Sequence, residues 1–258
     1  MTNPHGSFIW YELLATDPAA AGDFYEKIVG WRTHGFEGAP VENYTLFQAP
    51  DGTDVAGLMA LPESAPGPVW LAYIGVDDVD AATESATQAG ATVQMAPQSL
   101  PGVGRLAMLA DPQGAAFYLM RGDSPEDSHS FRPATPGHGG WHELHTRDWE
   151  AARDFYHGQF GWKTSSEMDM GPMGKYSIFA IAGTDAGAIF NSPGVPRPMW
   201  LVYFNVDDLD AAAGRITEHG GTILHGPMDV PDGQRIVQAS DPQGAMFALV
   251  GPGAGASS

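Results

Sequence analysis

An internal duplication constrains this chain more than any other feature. An offset of 131 lays Trp10–Trp31 on Trp141–Trp162, and eleven of the 22 aligned pairs are identical. An offset of 130 then aligns Trp70-Leu71-Ala72-Tyr73 with Trp200-Leu201-Val202-Tyr203, and Val76-Asp77-Asp78 with Val206-Asp207-Asp208. The same offset places Asp111-Pro112-Gln113-Gly114 on Asp241-Pro242-Gln243-Gly244. Self-similarity at this period means two copies of a whole domain, not a short solenoid repeat. The copies span residues 1–121 and 140–251. Between them, 122–139 has the Gly, Pro, Ser and charge content of a linker. Residues 252–258 are expected to form a disordered tail.

Within each copy a second regularity emerges. Phe8–Ala15 reads as a strand, and Asp17-Pro18 starts a helix with Asp as N-cap and Pro at the first helical position. Ala21, Phe24, Tyr25 and Ile28 recur at helical spacing until Gly30. Strands follow near Arg32–Phe36, Tyr44–Ala49 and Val55–Ala60, the last two joined by an Asp51-Gly52 turn. The order β-α-β-β-β then repeats: strand Val69–Val76, helix from the Asp78 cap to Gly90, and strands Thr92–Met95, Arg105–Ala110 and Ala115–Met120. In the second copy the same reading gives strand 140–146, helix 149–160, strands within 162–190, strand 199–206, helix 209–219, and strands 222–225, 235–240 and 245–250. The fold class is therefore α+β, with four tandem β-α-β-β-β modules in two repeated domains.

Composition narrows the function classes. A length of 258 residues can bury two cores, and 43% hydrophobic against 17% charged residues describes a folded chain. With 12 basic and 31 acidic residues the formal charge is −19, a field that repels phosphate backbones and anionic lipids. The expected partner is a small molecule, with no nucleic acid and no membrane, and the chain is expected to be a monomer or homodimer. The absence of cysteine removes disulfides, thiolate nucleophiles and cysteine zinc sites. No signal peptide or membrane-length apolar run is visible, so a cytoplasmic protein is expected.

Tandem modules carrying Ala21-Gly22-Asp23-Phe24-Tyr25 with Gly30-Trp31, Ala152-Arg153-Asp154-Phe155-Tyr156 with Gly161-Trp162, a Val-Asp-Asp helix start and an Asp-Pro-Gln-Gly hairpin resemble the vicinal oxygen chelate superfamily. That group holds glyoxalases, bleomycin-resistance proteins and extradiol dioxygenases, and two-domain glyoxalase-like proteins of actinobacteria are the most similar. The resemblance implies sheets curled into half-open β-barrels with the pocket inside. It also implies metal ligands, usually His, Gln or Glu, on the first and last strands of the modules. Counted from the helix starts, the first-strand positions hold Trp10 and Trp141, and Leu71 and Leu201 in the even modules. The last-strand positions hold Tyr118 and Ala248, while Val55–Leu61 and Ala186–Phe190 contain no His, Gln, Glu or Asp. No cofactor is expected on this count, and a divalent metal is disfavoured.

The stretch Trp141-His142-Glu143-Leu144-His145 concentrates imidazole and carboxylate. Side chains alternate along a strand, so Trp10, Glu12 and Leu14 share one face, and Trp141, Glu143 and His145 share its counterpart. In the family register that face lines the pocket, while Tyr11 and His142 point to the helix layer or solvent. A carboxylate on an apolar wall must be paired or have its pKa raised. Glu143 and Glu12 are thus either a general base or ligand anchor, or acids satisfied by a structural partner such as Arg105 or Arg235. His145 is the candidate acid/base beside Glu143, set against a packing role; His142 and His145 face apart and make a poor metal pair. Trp10 and Trp141 suit stacking on a flat or cationic ligand, or core packing. Tyr73, Tyr118 and Tyr203 are candidate wall residues, and 35–43 and 168–174 are candidate lids. No phosphate loop, serine nucleophile elbow or H-E-x-x-H motif is present, and Gly102-x-Gly104 lacks a strand–turn–helix context.

Three functions remain: a metal-independent small-molecule binder, as in the bleomycin-resistance branch; a metal-free lyase or isomerase moving protons through Glu143 and His145; and a glyoxalase-like metal enzyme or dioxygenase with an atypical set such as Glu12, Glu143 and His145.

Overall fold

A computed structural model of the protein describes residues 3–36, 41, 43–63 and 65–253, apart from the side chains of Met173 and Asp232. Most of the loop at 35–43 and most of the tail lie outside these residues. The described part of the tail begins with Pro252, which still belongs to the last strand.

The first module comprises β1 (Phe8–Ala15), α1 (Pro18–Val29), β2 (Arg32–Gly35), β3 (Thr45–Gln48) and β4 (Asp54–Ala60). The second comprises β5 (Val69–Gly75), α2 (Val79–Gln88), β6 (Thr92–Leu100), β7 (Gly104–Ala110) and β8 (Ala116–Gly122). The third has β9 (Gly139–Thr146), α3 (Trp149–Phe160), β10 (Lys163–Asp169), β11 (Lys175–Ile181) and β12 (Thr184–Asn191). The fourth has β13 (Met199–Asn205), α4 (Leu209–Glu218), β14 (Thr222–Asp229), β15 (Gln234–Ser240) and β16 (Met246–Pro252).

Each helix starts as its sequence dictates. The Asp17 side chain accepts from the Ala20 N–H and Asp148 from Ala151, while Asp78 and Asp208 cap the other two helices in the same way. Gly30 and Gly161 end α1 and α3 in left-handed conformation, with φ of 86° and 68°, where a side chain would be strained.

The strands form two eight-stranded sheets, ordered β2-β3-β4-β1-β5-β8-β7-β6 and β10-β11-β12-β9-β13-β16-β15-β14. Among the described residues each sheet ends in two unpaired edges and stays open, which matches half-open barrels. Within a module the last strand runs parallel to the first across the helix crossover: Glu12 faces Gly57 in β1–β4 and Glu143 faces Ala188 in β9–β12.

The edge strands β6 and β14 run four residues beyond the Met95 and His225 ends expected from sequence, or more. Both are bulged and largely exposed. Pro97 and Pro227 sit at those bulges, and an exposed edge with proline has no alternation to read.

By compactness the chain forms two units that do not coincide with the sequence copies. One contains Met1–Ile9, Leu71–Ser128 and His142–Leu201; the other contains Trp10–Trp70, His129–Trp141 and Val202–Ser258. Each unit thus takes most of one module from either copy, and four of the boundaries fall within β1, β5, β9 and β13.

The repeat's signature residues build the core of each unit. In the first unit Trp200 Nε1 donates to Tyr156 OH (3.0 Å), which donates to Asp111 Oδ2 (3.1 Å). In the second, Trp70 Nε1 donates to Tyr25 OH (2.8 Å), which donates to Asp241 Oδ2 (3.2 Å). The other oxygen of each aspartate closes its hairpin by accepting from the backbone N–H groups of Gln113 and Ala115, or of Gln243 and Ala245. Gln113 then brackets the start of α3: its amide donates to Asp148 O (2.7 Å) and its carbonyl accepts from Asp148 N–H (2.9 Å). Gln243 does the same at Asp17. The Asp-Pro-Gln-Gly motif is a fastener between a hairpin and a helix start.

The segment 122–139 is anchored too. His138 is fully buried, with Nδ1 2.6 Å from His129 O and Nε2 3.1 Å from Asp51 Oδ2.

Candidate functional site

In the first unit β9 carries Glu143 and His145, each 5% exposed. Glu143 Oε1 accepts from the Tyr176 hydroxyl of β11 at 2.7 Å. His145 Nε2 lies 3.3 Å from Glu143 Oε2, an ion-pair distance, although the ring does not aim that nitrogen at a hydrogen-bond acceptor. Its Nδ1 lies 3.0 Å from Ser192 Oγ, and its edge meets the Phe190 ring at 4.7 Å. The ladder sets this up: His145 faces Phe190 and Thr146 faces Asn191 in the parallel β9–β12 pair, so Ser192 emerges beside the imidazole.

His142 has the opposite environment. It is fully buried and stacks on Phe8 at 3.5 Å. Its Nδ1 donates to Ala186 O at 2.7 Å. Burial lowers its pKa to about 3, with the backbone hydrogen bond opposing, so it is a neutral core residue. Tyr11 is likewise fully buried, and burial pushes its hydroxyl well above the usual tyrosine range.

The second unit holds the counterpart of the acid. Glu12, 3% exposed, receives the Tyr44 hydroxyl at 3.4 Å, and Trp10 Nε1 donates to the same hydroxyl at 3.3 Å. Gly57 makes room: a Cβ there would collide with the Tyr44 hydroxyl. At the positions of His145 and Ser192 this copy has Leu14 and Leu61.

The remaining expected residues sit as follows. Tyr73 and Tyr118 are registered neighbours on β5 and β8 and stack on each other at 4.2 Å. Tyr203 is buried and its hydroxyl accepts from Gln238 at 2.7 Å. Trp10 and Trp141 are half-buried. Arg105 and Arg235 are engaged by other acids, Arg105 by Asp80 at 2.5 Å and Arg235 by Asp210 and Asp229. The hydroxyl partners of the two glutamates are tyrosines. The expected lid at 168–174 is partly structured: Met168 and Asp169 complete β10 and Gly171–Met173 forms one 3-10 turn.

Sequence reasoning missed Tyr44, Tyr176 and Ser192. The tyrosines had a signal, because Tyr44-Thr45-Leu46-Phe47 and Tyr176-Ser177-Ile178-Phe179 continue the repeat at offset 132. Ser192 had none. Two surface depressions, about 180 Å³ beside Arg32 and Gln48 and about 240 Å³ beside His5 and Phe160, include none of the candidate side chains.

The donor set does not fit a resident metal of the expected kind. The ligand positions that the family resemblance implies hold Trp10, Trp141, Leu71, Leu201, Tyr118 and Ala248, none of which offers imidazole or carboxylate. Among the described residues no three His, Asp or Glu side chains gather closely enough to hold an ion. Glu143 and His145 are two such groups, one short of the three protein ligands of a catalytic zinc site.

Comparison with known proteins agrees with this architecture. The family model described as Glyoxalase/Bleomycin resistance protein/Dioxygenase superfamily matches residues 7–119 and 140–249, and the chain belongs to that superfamily. It is 34% identical over 262 residues to the anthracycline biosynthesis protein DnrV of Streptomyces peucetius, covering 95% of this chain and 93% of that one. It is 33% identical over 252 residues to the putative glyoxylase CFP32 of Mycobacterium tuberculosis, covering 94% of both. Among solved structures, the Mn(II)-bound glyoxalase of Novosphingobium aromaticivorans aligns with a TM-score of 0.64 at 20% identity, covering 96% of this chain and 81% of that one. A variant of homoprotocatechuate 2,3-dioxygenase from B. fuscum aligns at 0.67 and 15% identity, covering 97% and 73%. At such identities these two structures share the fold. No described helix is long and apolar enough to cross a membrane.

Proposed function

We propose that the protein binds a small organic molecule on the sheet wall that carries Glu143, without a resident metal ion. One observation carries this reading: a carboxylate 5% exposed, held by Tyr176 and flanked by His145, on a wall whose metal positions hold apolar and aromatic residues. Such an acid anchors a hydroxyl or a cation of a ligand through a charge-assisted hydrogen bond. The relatives named for anthracycline biosynthesis make planar, polycyclic hydroxyaromatic compounds the class to test first.

The test is tryptophan-fluorescence titration with a polycyclic hydroxyquinone, using protein purified without chelator and assayed for metal. Saturable quenching is expected, and Glu143→Gln weakens it at least about tenfold, from a charged hydrogen bond worth about 1.5–3 kcal/mol. One equivalent of Zn, Ni, Mn or Fe in the purified protein overturns the metal-free reading. Unchanged affinity in Glu143→Gln overturns the anchor.

The contact of His145 with Glu143 supports a second reading, a metal-free lyase or isomerase in which this pair moves protons on the bound ligand. Ligand turnover that Glu143→Gln abolishes while affinity is kept would select it.

A further inference from the structure

Glu143, His145 and Ser192 form a three-member chain, of which ligand binding engages Glu143 and leaves Ser192 without a task. Ser192 Oγ lies 3.0 Å from His145 Nδ1, and His145 Nε2 lies 3.3 Å from Glu143 Oε2. Tyr176 fixes the far oxygen of Glu143 at 2.7 Å. The acid and imidazole are buried, while Ser192 is partly open to solvent. The Glu143 carboxyl oxygen lies 3.3 Å from Nε2, though not aligned for a hydrogen bond, and a proton on Nε2 leaves the Nδ1 lone pair for the serine hydroxyl proton. This is the division of labour of a serine–histidine–acid triad, which is recognised by geometry and roles and not by sequence order.

Ser192 is held for the task. Its backbone N–H donates to Thr146 O at 2.8 Å, and its carbonyl accepts from Val195 N–H at 3.3 Å in the turn that follows. The Phe190 ring packs on the edge of the imidazole. The other copy acts as an internal comparison. It keeps the acid–tyrosine pair as Glu12 and Tyr44 but has Leu14 and Leu61 in place of the imidazole and hydroxyl. A glutamate–tyrosine pair therefore does not need His and Ser beside it, and only the second copy carries both.

We infer that Ser192 is a nucleophile for acyl transfer from carboxylic esters, with His145 as its general base and Glu143 as the residue that positions and polarises His145. The Ser192 Oγ–H proton passes to His145 Nδ1 as the Oγ–C bond forms at the ester carbonyl. The tetrahedral species expels the alcohol, which takes that proton from His145, and water repeats the sequence to release the acid. This triad shares Glu143 and His145 with the readings above, and covalent labelling of Ser192 is read out separately from ligand affinity.

The experiment is covalent labelling of the full chain with an alkyl fluorophosphonate, in which Ser192 Oγ displaces fluoride from phosphorus and the proton passes to His145. Intact mass is followed in time, and the adduct is located by peptide mapping. One adduct is expected, on the peptide containing Ser192, and absent in Ser192→Ala. His145→Gln slows labelling by about 100-fold or more, the range of general-base assistance. Glu143→Gln slows it less, and Glu143→Asp, which restores the charge, recovers part of the rate. Near-UV circular dichroism identifies any variant that has lost its fold, so that its rate is not counted. Two results overturn the inference: wild-type protein left unlabelled where a serine esterase is fully modified, or Ser192 labelled equally fast in His145→Gln.

Discussion

His142 and Glu143 are neighbours with opposite fates, because a strand sends them to opposite faces. His142 is sealed beneath Phe8 with its Nδ1–H spent on Ala186 O. Its folded pKa of about 3 lies below the ~6.5 of an unfolded histidine, so the folded state binds fewer protons between those values. The stabilisation is complete above about pH 6.5 and is lost as pH falls toward 3. By pH 5 the loss is about 2 kcal/mol, from about 1.5 pH units at about 1.36 kcal/mol each. Urea unfolding should therefore find His142→Leu less stable than wild type at pH 7.5, with that gap narrowing by about 2 kcal/mol at pH 5. A gap independent of pH would show that no neutral imidazole is buried there. Read by composition alone, Trp-His-Glu-Leu-His suggests a metal site; strand alternation was enough to put His142 and Glu143 on opposite faces, but whether His142 met the helix layer or solvent was decided only by its burial in the structure. The contact between His145 and Ser192 was not legible, because it depends on the β9–β12 register, and a 47-residue separation carries no periodic signal.

Elements are held in place by the same residues that reveal the repeat. The helix-borne Tyr156 sits between an indole donor on β13 and the hairpin acid Asp111. Burial raises the pKa of that aspartate, opposed by the hydrogen bonds from Ala115, Gln113 and Tyr156. Tyr156→Phe keeps the ring stacked on Trp162 at 5.3 Å but strands both the Trp200 N–H and one oxygen of Asp111. Each orphaned buried group costs about 1–3 kcal/mol, so a loss of about 2–6 kcal/mol is expected in denaturant unfolding. A loss under 0.5 kcal/mol would remove the chain from the list of stabilising contacts. Helix starts and stops were readable because capping chemistry is local: Asp17, Asp148, Gly30 and Gly161 act within a few residues of where they stand. Gln113 and Gln243 were visible only as motif letters, since their targets are 35 and 226 residues away. The edge strands run past their expected ends through Pro97 and Pro227, which a bulged edge tolerates.

For the whole molecule, covalent repeats and compact units partition the chain differently, and folding should follow the units. The tie from Tyr25 runs to Asp241 and the tie from Tyr156 runs to Asp111, so each crosses from one sequence copy to the other inside a unit. Arg215 of α4 also reaches Ile28 O at the end of α1. A fragment ending at Ser128 keeps every strand of the first sheet, yet it retains α1 without α4 and Asp111 without Tyr156. Both broken ties leave buried polar groups unsatisfied, each at a cost comparable to a sizeable share of the 5–15 kcal/mol that typically stabilises a domain. Residues 1–128 alone should therefore fail to give a cooperatively unfolding monomer, by calorimetry and light scattering. Two copies of the fragment could satisfy the ties by exchanging partners, since the repeat supplies Tyr25 for Asp111, so the fragment should appear either unfolded or as a dimer. Mixed with residues 129–258, it should recover a cooperative transition close to that of the intact chain. A stable monomeric fragment would show that the sequence copy, and not the compact unit, is what folds.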